Sequence, residues 1–323
     1  MKNYSRRDFI RQNSLTGLGV FVGLSVPSIL MSETLSAQEK EPIIDIHQHT
    51  NYVNRTDEQL LAHQRAMGVT LTVLQPAGRP LDYGSTYYGV GNGLQAEATG
   101  NEACYNFAKK YPKEFMFGAN EVPDFPGAVE EIEKYLKLGA PFIGESKFNV
   151  ECDSPEMQRI YALADKYDVP ILMHWQHKMY NRGLERFYTM LEKYPNVKFL
   201  AHSQSWWANM GKEQVDQNNI YPKGKVTPGG LIDVLLAKYK NLYADLSAPS
   251  GLNAIVRDEE HMKAFMQRHQ DQIVFGSDCP DAFGHGDKCT GAKIIAGIKR
   301  VAPSKQVERK ILYENSKRLL KLK

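Results

Sequence analysis

The stretch Ile43-Ile44-Asp45-Ile46-His47-Gln48-His49 decides how the rest of the chain is read. Its apolar, β-branched body predicts a buried strand, and two histidines stand two residues apart at its end. Side chains alternate along a strand, so the pattern predicts Asp45, His47 and His49 on one side and Ile44, Ile46 and Gln48 on the other. Two imidazoles on one face can reach one ion. A His-x-His pair alone is a weak signal, and its weight comes from the later strand ends.

Three later runs share the form: Val169-Pro170-Ile171-Leu172-Met173-His174, Lys198-Phe199-Leu200-Ala201-His202 and Ile273-Val274-Phe275-Gly276-Ser277-Asp278. Each is an apolar stretch that ends on a metal-ligating or hydrolytic residue and runs into a polar loop. A barrel of parallel strands builds its active site in this way, at the carboxyl ends of the strands. In all, eight strands are predicted, at 43–49, 69–75, 115–121, 142–148, 169–175, 198–203, 241–247 and 273–278. Helical patterns fall at 57–67, 101–110, 127–138, 155–167, 182–193, 229–239, 258–269 and 305–321. Strands alternating with helices predict parallel βαβ units, and eight of them close a (β/α)8 TIM barrel. One long irregular stretch, 203–228, follows the sixth strand, and a loop of that length in a compact domain is more often functional than idle.

These strand endings, with Gly276-Ser277-Asp278 closing the eighth strand, resemble the amidohydrolase superfamily and its amidohydrolase-2 branch, from about Pro42 onward. The resemblance implies a metal-dependent hydrolase that uses metal-activated water on an ester, lactone or amide, with carbohydrate derivatives among the candidate substrates. Its ligands are expected to be His47, His49, His174 and Asp278, with Asp278 also accepting the proton of the water. His202 either completes a second metal site or polarises the substrate. The nitrogen and oxygen donors suit Zn²⁺ best and are open to Mn²⁺, Co²⁺ or Fe²⁺, as one ion or two. A decarboxylase of the same branch would use nearly the same residues, and a metal-free lactonase or binding protein is the third reading.

In the fourth strand Glu145 and Lys147 face one way, inward if Gly144 and Ser146 face the helices. The Gly-Glu ending is similar to that of the TatD-like deoxyribonucleases. Three states are open: a bridging Glu145, a carbamylated Lys147, or an internal Glu145–Lys147 ion pair that binds substrate. Trp175, His177, Trp206, Trp207 and Arg79 are further candidates for substrate binding, because all sit in loops at the expected active-site end, as do Tyr83, Tyr87 and Tyr88. His63, His261 and His269 fall on helices and are given no role.

Ser5-Arg6-Arg7-Asp8-Phe9-Ile10-Arg11 matches the twin-arginine pattern, followed by the uncharged stretch 12–32 and by Leu35-Ser36-Ala37. Residues 1–37 therefore read as a signal peptide, residues 38–323 as the barrel, and the destination as periplasmic or secreted. Gly17, Gly19, Gly23 and Pro27 make the leader a poor uncleaved anchor, so no stable membrane insertion of the mature chain is expected. At 323 residues, 42% hydrophobic and 24% charged, one large domain accounts for the length. The formal charge is +3. The leader carries Lys2, Arg6, Arg7 and Arg11 against Asp8 and Glu33, a surplus of two, which leaves the remainder near +1. That balance, with no clustered basic stripe, gives a nucleic-acid partner no support; a small-molecule substrate is expected, and a homo-oligomer is left open. Of four cysteines, Cys279 and Cys289 are the nearest pair, open to a disulfide or to free buried thiols, and Cys279 directly follows Asp278.

Overall fold

A computed structural model describes residues 41–81 and 91–323. The twin-arginine segment and Tyr83, Tyr87 and Tyr88 lie outside the described residues. Eight strands run in chain order: β1 (Ile44–Gln48), β2 (Leu71–Leu74), β3 (Phe115–Phe117), β4 (Ile143–Ser146), β5 (Ile171–His174), β6 (Phe199–His202), β7 (Leu242–Leu246) and β8 (Ile273–Phe275). All ladders are parallel, in the orders β1-β2-β3 and β4-β5-β6-β7-β8. The two sets join where Ala119 N donates to Phe142 O (2.8 Å) and Gly144 N donates to Ala119 O (3.1 Å).

The remaining seam, between β8 and β1, is closed largely by one side chain. Asp45 Oδ1 accepts from Ser277 N (2.8 Å) and from His47 N (3.0 Å), while Asp278 N donates to His47 O (2.8 Å). Gln64 also donates to Asp45 Oδ2 (2.9 Å). A buried carboxylate with this many donors is satisfied without an ion, so Asp45 is a structural clasp.

The helices are α1 (Asp57–Met67), α2 (Asn101–Lys110), α3 (Ala128–Lys137), α4 (Pro155–Tyr167), α5 (Tyr188–Lys193), α6 (Gln204–Ala208), α7 (Leu231–Lys238), α8 (Ala248–Arg257), α9 (Glu259–Arg268), α10 (Thr290–Val301), α11 (Lys305–Arg309) and α12 (Asn315–Leu319). Local chemistry sets their starts. Thr56 and Gln59 form a capping box on α1, and Ser154 accepts from Met157 N with Pro155 at the first turn of α4. Three helices lie outside the predicted set: α6, α8 and α10. In α8, Pro249, Ser250 and Gly251 mask the helical signal; in α10, Gly291 and Gly297 do. A Cβ on Gly291 would stand 2.6 Å from Met67 Sδ and 2.9 Å from Ser277 Cβ, so close approach of α10 to the barrel requires the glycine.

It is α10, following β8, that takes the eighth helical place, and the predicted 305–321 helix does something else. A π turn (Lys310–Glu314) interrupts it, and its end carries Leu319 and Leu320 against the barrel interior of Ile44, Ile46, Val73, Phe142, Leu172, Leu200, Tyr243 and Val274. Every strand except β3, whose Met116 is partly buried, thus contributes or adjoins a buried residue of this plug. Outward-facing Ile143, Ile171, Met173, Phe199, Ala201, Leu242 and Phe275 pack with helical Ile132, Leu136, Ile160, Leu235 and Ile298 in the larger core. Each fully buried aliphatic side chain contributes about 1.5–3 kcal/mol. With the lower barrel filled, open space remains at the carboxyl ends of the strands. No helix among the described residues is long and apolar enough to cross a membrane.

Candidate metal centre

Simple alternation does not place His47 and His49. Ile44 and Ile46 point into the barrel, which by period two would send Gln48 inward and His47 outward. The β1–β2 register instead shifts between Asp45 and Gln48. That irregularity turns His47 and His49 inward together, leaves Asp45 against Gln64, and sends Gln48 to Ser277 and Cys279. The expected shared face of Asp45, His47 and His49 is therefore corrected. A parallel event occurs in β4. Phe142 faces the interior and Ile143 the helices, but the register shifts between Ile143 and Ser146 at Gly144, whose φ is +133°. Glu145 is thereby brought inward, and Ser146 meets Met157 on α4. A Cβ on Gly144 would lie 3.0 Å from both Leu172 Cβ and Leu172 O, so the turn needs glycine.

Glu145 stands at the centre of four imidazoles. Its Oε1 is 2.6 Å from His174 Nδ1 and 2.6 Å from His202 Nε2. Its Oε2 is 3.4 Å from His47 Nε2 and 3.3 Å from His49 Nε2. Asp278 Oδ1 lies 3.3 Å from His49 Nε2 and 3.9 Å from His47 Nε2. All six residues are buried. Three overlapping groups, His47/His49/Glu145, His47/His202/Asp278 and Glu145/His174/His202, each offer ligand atoms within 4.8 Å of one another.

The outer ring nitrogens explain how two of the imidazoles are aimed. His49 Nδ1 donates to Gln75 O (2.7 Å), and His47 Nδ1 is 2.7 Å from Asp245 Oδ2, which Ser247 Oγ also reaches (2.7 Å). Each partner accepts from Nδ1, so Nε2 is the ring nitrogen turned to the centre. Ser203, Ala248 and Asp278, just past the ends of β6, β7 and β8, have φ of 84°, 62° and 41°. Such conformations concentrate where surrounding structure holds a functional group in place.

Burial would by itself push His47 down, yet Asp278, Glu145 and Asp245 outweigh it and hold the imidazole well above its ordinary range. His49 is likewise raised against burial by hydrogen bonds to Asp278 and Glu145. Burial opposes ionisation of Glu145 and Asp278, but His47 with His202 keeps Glu145 well below the carboxylate range, and His47 with His49 lowers Asp278. His174 is pushed down to about 4 by burial and is neutral near pH 7. The centre is thus a buried pair of carboxylates that draws positive charge, with a ring nitrogen of each of four imidazoles turned toward it. Divalent cations meet both demands, so the donor set fits a metal.

A cavity of about 300 Å³ opens beside this centre, lined by Tyr52, Lys147, Tyr180, Ser203, Tyr221 and Asp278 among others. Of the residues expected to touch substrate, Lys147 is here. It pairs with Glu97 (3.4 Å), and Glu145 is committed to histidines, so of the three open states the internal Glu145–Lys147 ion pair is not formed. Burial disfavours the ammonium, but Glu145, Glu97 and Asp278 raise Lys147 above the usual range.

The other five expected substrate contacts stand elsewhere. Trp206 and Trp207 are 0% and 2% exposed in the core between barrel and helices, and Trp207 Nε1 donates to Asp245 O (3.1 Å). Because of their places on α6, they turn inward to the packing layer, and the first residue of that helix, Gln204, lines the cavity instead, with Tyr221 of the following loop. Trp175 follows an inward-facing His174 and so faces outward, edge-on to Phe187. His177 lines a neighbouring cavity of about 440 Å³ with Trp175. Arg79 pairs with Glu121 (2.8 Å) and covers the Phe125 ring, lining a different cleft.

Several residues of the site carry no sequence expectation. Asp245 is the last residue but one of β7, Leu242-Tyr243-Ala244-Asp245-Leu246, and a carboxylate near a barrel rim is the signal that could have found it. Tyr52 lies edge-on to His49 with centroids 4.9 Å apart. Buried Arg55 donates to Cys279 O (2.7 Å) and Gln48 Oε1 (2.7 Å), tying β1 to the loop bearing Asp278. Nothing local in the sequence marks either. The four cysteines are free and buried.

No curated protein matches the chain in sequence. Among solved structures it is similar to an uncharacterised TIM-barrel protein from Bordetella bronchiseptica (14% identity, 87% of this chain and 98% of that one, TM-score 0.58). It is also similar to a probable 2-pyrone-4,6-dicarboxylic acid hydrolase from Acinetobacter baumannii with citric acid bound (14% identity, 88% and 100% coverage, TM-score 0.56). A third is 5-carboxyvanillate decarboxylase from Novosphingobium aromaticivorans, complexed with manganese and a nitrobenzoic acid (15% identity, 82% and 80% coverage, TM-score 0.51). These likenesses establish the TIM-barrel fold. The amidohydrolase family profile matches residues 44–322, from the first strand through the leucine-bearing floor of the barrel, and the chain therefore belongs to the amidohydrolase family.

Proposed function

We propose that this protein is a metal-dependent hydrolase that cleaves an ester, lactone or amide bond of a small molecule, with carbohydrate derivatives among the candidates, after export by the twin-arginine route. One observation carries the reading. A single carboxylate, Glu145, turns one oxygen to His174 and His202 and the other toward His47 and His49. That division would suit two ions, with His47, His49 and Asp278 the residues that would hold one, His174 and His202 those that would hold the other, and Glu145 within reach of both. His202 then serves as a ligand in preference to a substrate polariser, and carbamylation of Lys147 is not required. Zn²⁺ is the preferred metal for this set of nitrogen and oxygen donors.

Bound divalent ions supply Lewis acidity and lower the pKa of coordinated water toward about 7. Asp278, ionised and at the cavity edge, accepts the proton of the attacking water and returns it to the leaving group. Lys147 and Tyr52 offer donors to the substrate's negative charge; burial and the nearby carboxylates keep the Tyr52 phenol protonated. Asp245 and Gln75 hold the imidazoles in register and touch no substrate.

Decarboxylation is the second reading. It is favoured by the decarboxylases among the similar structures and by Lys147, a cation suited to a substrate carboxylate. Chelated and zinc- or manganese-reloaded protein, assayed on lactones, esters, amides and aromatic acids, separates the readings. Acid formation without carbon dioxide that depends on metal and on His47 supports hydrolysis. Carbon dioxide release sinks it, and full activity after chelation sinks metal dependence. Export is tested by fractionation of cells carrying the intact or Arg6→Lys, Arg7→Lys leader; equal export of both refutes the route.

A further inference from the structure

We propose that His63, Cys279 and Cys289 form a separate structural metal site for one thiophilic divalent cation, with Zn²⁺ the best fit. His63 comes from α1, Cys279 from the loop after β8, and Cys289 caps the start of α10. All three are completely buried, and their donor atoms lie within 4.8 Å of one another. Cys279 Sγ is 3.9 Å from Cys289 Sγ, and Cys289 Sγ is 3.5 Å from His63 Nε2. Tetrahedral zinc with Zn–S of about 2.3 Å and Zn–N of about 2.0–2.1 Å has edges of about 3.8 Å between sulfurs and about 3.5 Å between sulfur and nitrogen. The two measured separations match those edges. A disulfide, in contrast, needs about 2.05 Å between sulfurs.

The chemistry of the donors differs from that of the barrel-rim centre: two sulfurs and one nitrogen, against imidazoles and carboxylates. Cys289 Sγ accepts from Ala292 N (3.3 Å) at the first turn of a twelve-residue helix, which fixes its direction toward Cys279 and His63. Binding is a proton exchange with no electron transfer. The cation gains two Cys–S bonds and one His–N bond, and two thiol protons leave to solvent. Two thiolates balance the 2+ charge in the buried space, and the fourth position is left to a water or to Asp281 in the same loop.

The consequence is positional. Cys279 directly follows Asp278, and its carbonyl accepts from Arg55 (2.7 Å) and Gln48 (3.1 Å). An ion on Cys279 links α1, the Asp278 loop and α10 in one brace, so that Asp278 is held from behind by atoms that touch neither substrate nor the other ions. This inference does not depend on which reaction the protein performs.

The test uses the full protein, chelated and reloaded first with Zn²⁺ and then with Co²⁺. Zinc-edge X-ray absorption of the wild type is expected to show sulfur scatterers at about 2.3 Å. The cobalt protein is expected to show a near-ultraviolet thiolate-to-cobalt charge-transfer band, lost in Cys279→Ser and Cys289→Ser but retained in Glu145→Gln. Zinc surrounded by nitrogen and oxygen alone, or cobalt protein without the band, overturns the proposal. So does a Cys279–Cys289 disulfide in the isolated protein, found as a peptide pair lighter by two hydrogens. The absorption measurement needs no variant, so it decides the question even where a serine variant fails to fold.

Discussion

Glu145→Gln removes one charge and keeps the shape of the side chain at the point where four imidazoles meet. Glu145 Oε1 is 2.6 Å from both His174 Nδ1 and His202 Nε2, while its Oε2 is 3.3–3.4 Å from the other pair. A cation held by either pair lies within a few ångströms of the carboxylate. One unit of negative charge against one unit of positive at 4 Å is worth about 4 kcal/mol at an effective dielectric constant of about 20, and that is about a thousandfold in affinity. His47, His49 and Asp278 still supply three ligands on one side, whereas His174 and His202 keep only two imidazoles and an amide oxygen. The variant is therefore expected to bind one fewer ion than the wild type at a free zinc concentration that saturates the latter. Equilibrium dialysis against buffered zinc with subsequent metal analysis measures this, and circular dichroism verifies the fold. Equal stoichiometry, with affinities within about threefold of each other, would refute the bridging role and leave Glu145 as a hydrogen-bond acceptor for His174 and His202.

Asp245→Asn takes away the carboxylate that orients His47 through Nδ1, and metal affinity should fall by about 10–100-fold with little change in thermal stability; an unaltered zinc titration would remove Asp245 from the site. Because His47 is held well above its ordinary range in the metal-free protein, protons should compete with metal even at neutral pH. Affinity should then rise with pH through neutrality, and a flat profile in a competition titration contradicts the electrostatic reading. The contribution of charged His47 to metal-free stability is present at low pH and is lost as pH rises through its raised pKa, a loss that the metal-loaded protein should not share. Trp206→Ala and Trp207→Ala should each destabilise by about 3–5 kcal/mol in urea unfolding, with KM unchanged in whatever folds; a raised KM at unchanged stability would restore them to the substrate wall.

The sequence by itself determined the barrel and the neighbourhood of its chemistry. Eight strands separated by helical periods, four of them apolar and followed closely by His or Asp, admit few other topologies, and the strand ends bring His47, His49, His174, His202 and Asp278 to one rim whatever the details of packing. Periodicity also places the inward turn of His174 after Leu172, because β5 keeps strict alternation. It fails for Asp45, expected beside His47 and His49, and it does not carry Phe142 and Ile143 through to Glu145, because register shifts in β1 and β4 reverse the parity, and such a shift is set by hydrogen bonding to a neighbouring strand that no local pattern encodes. Tertiary structure alone decided that Asp245 and Gln75 orient the imidazoles, that Lys147 pairs with Glu97, and that both adjacent tryptophans pack into the core. It also brought His63 to Cys279 and Cys289 across 216 and 226 positions of the chain. The physical reason is common to all of these. A side chain's secondary structure depends on residues a few places away, but its partners depend on which strands and helices close the same volume, and that is fixed only when the barrel closes.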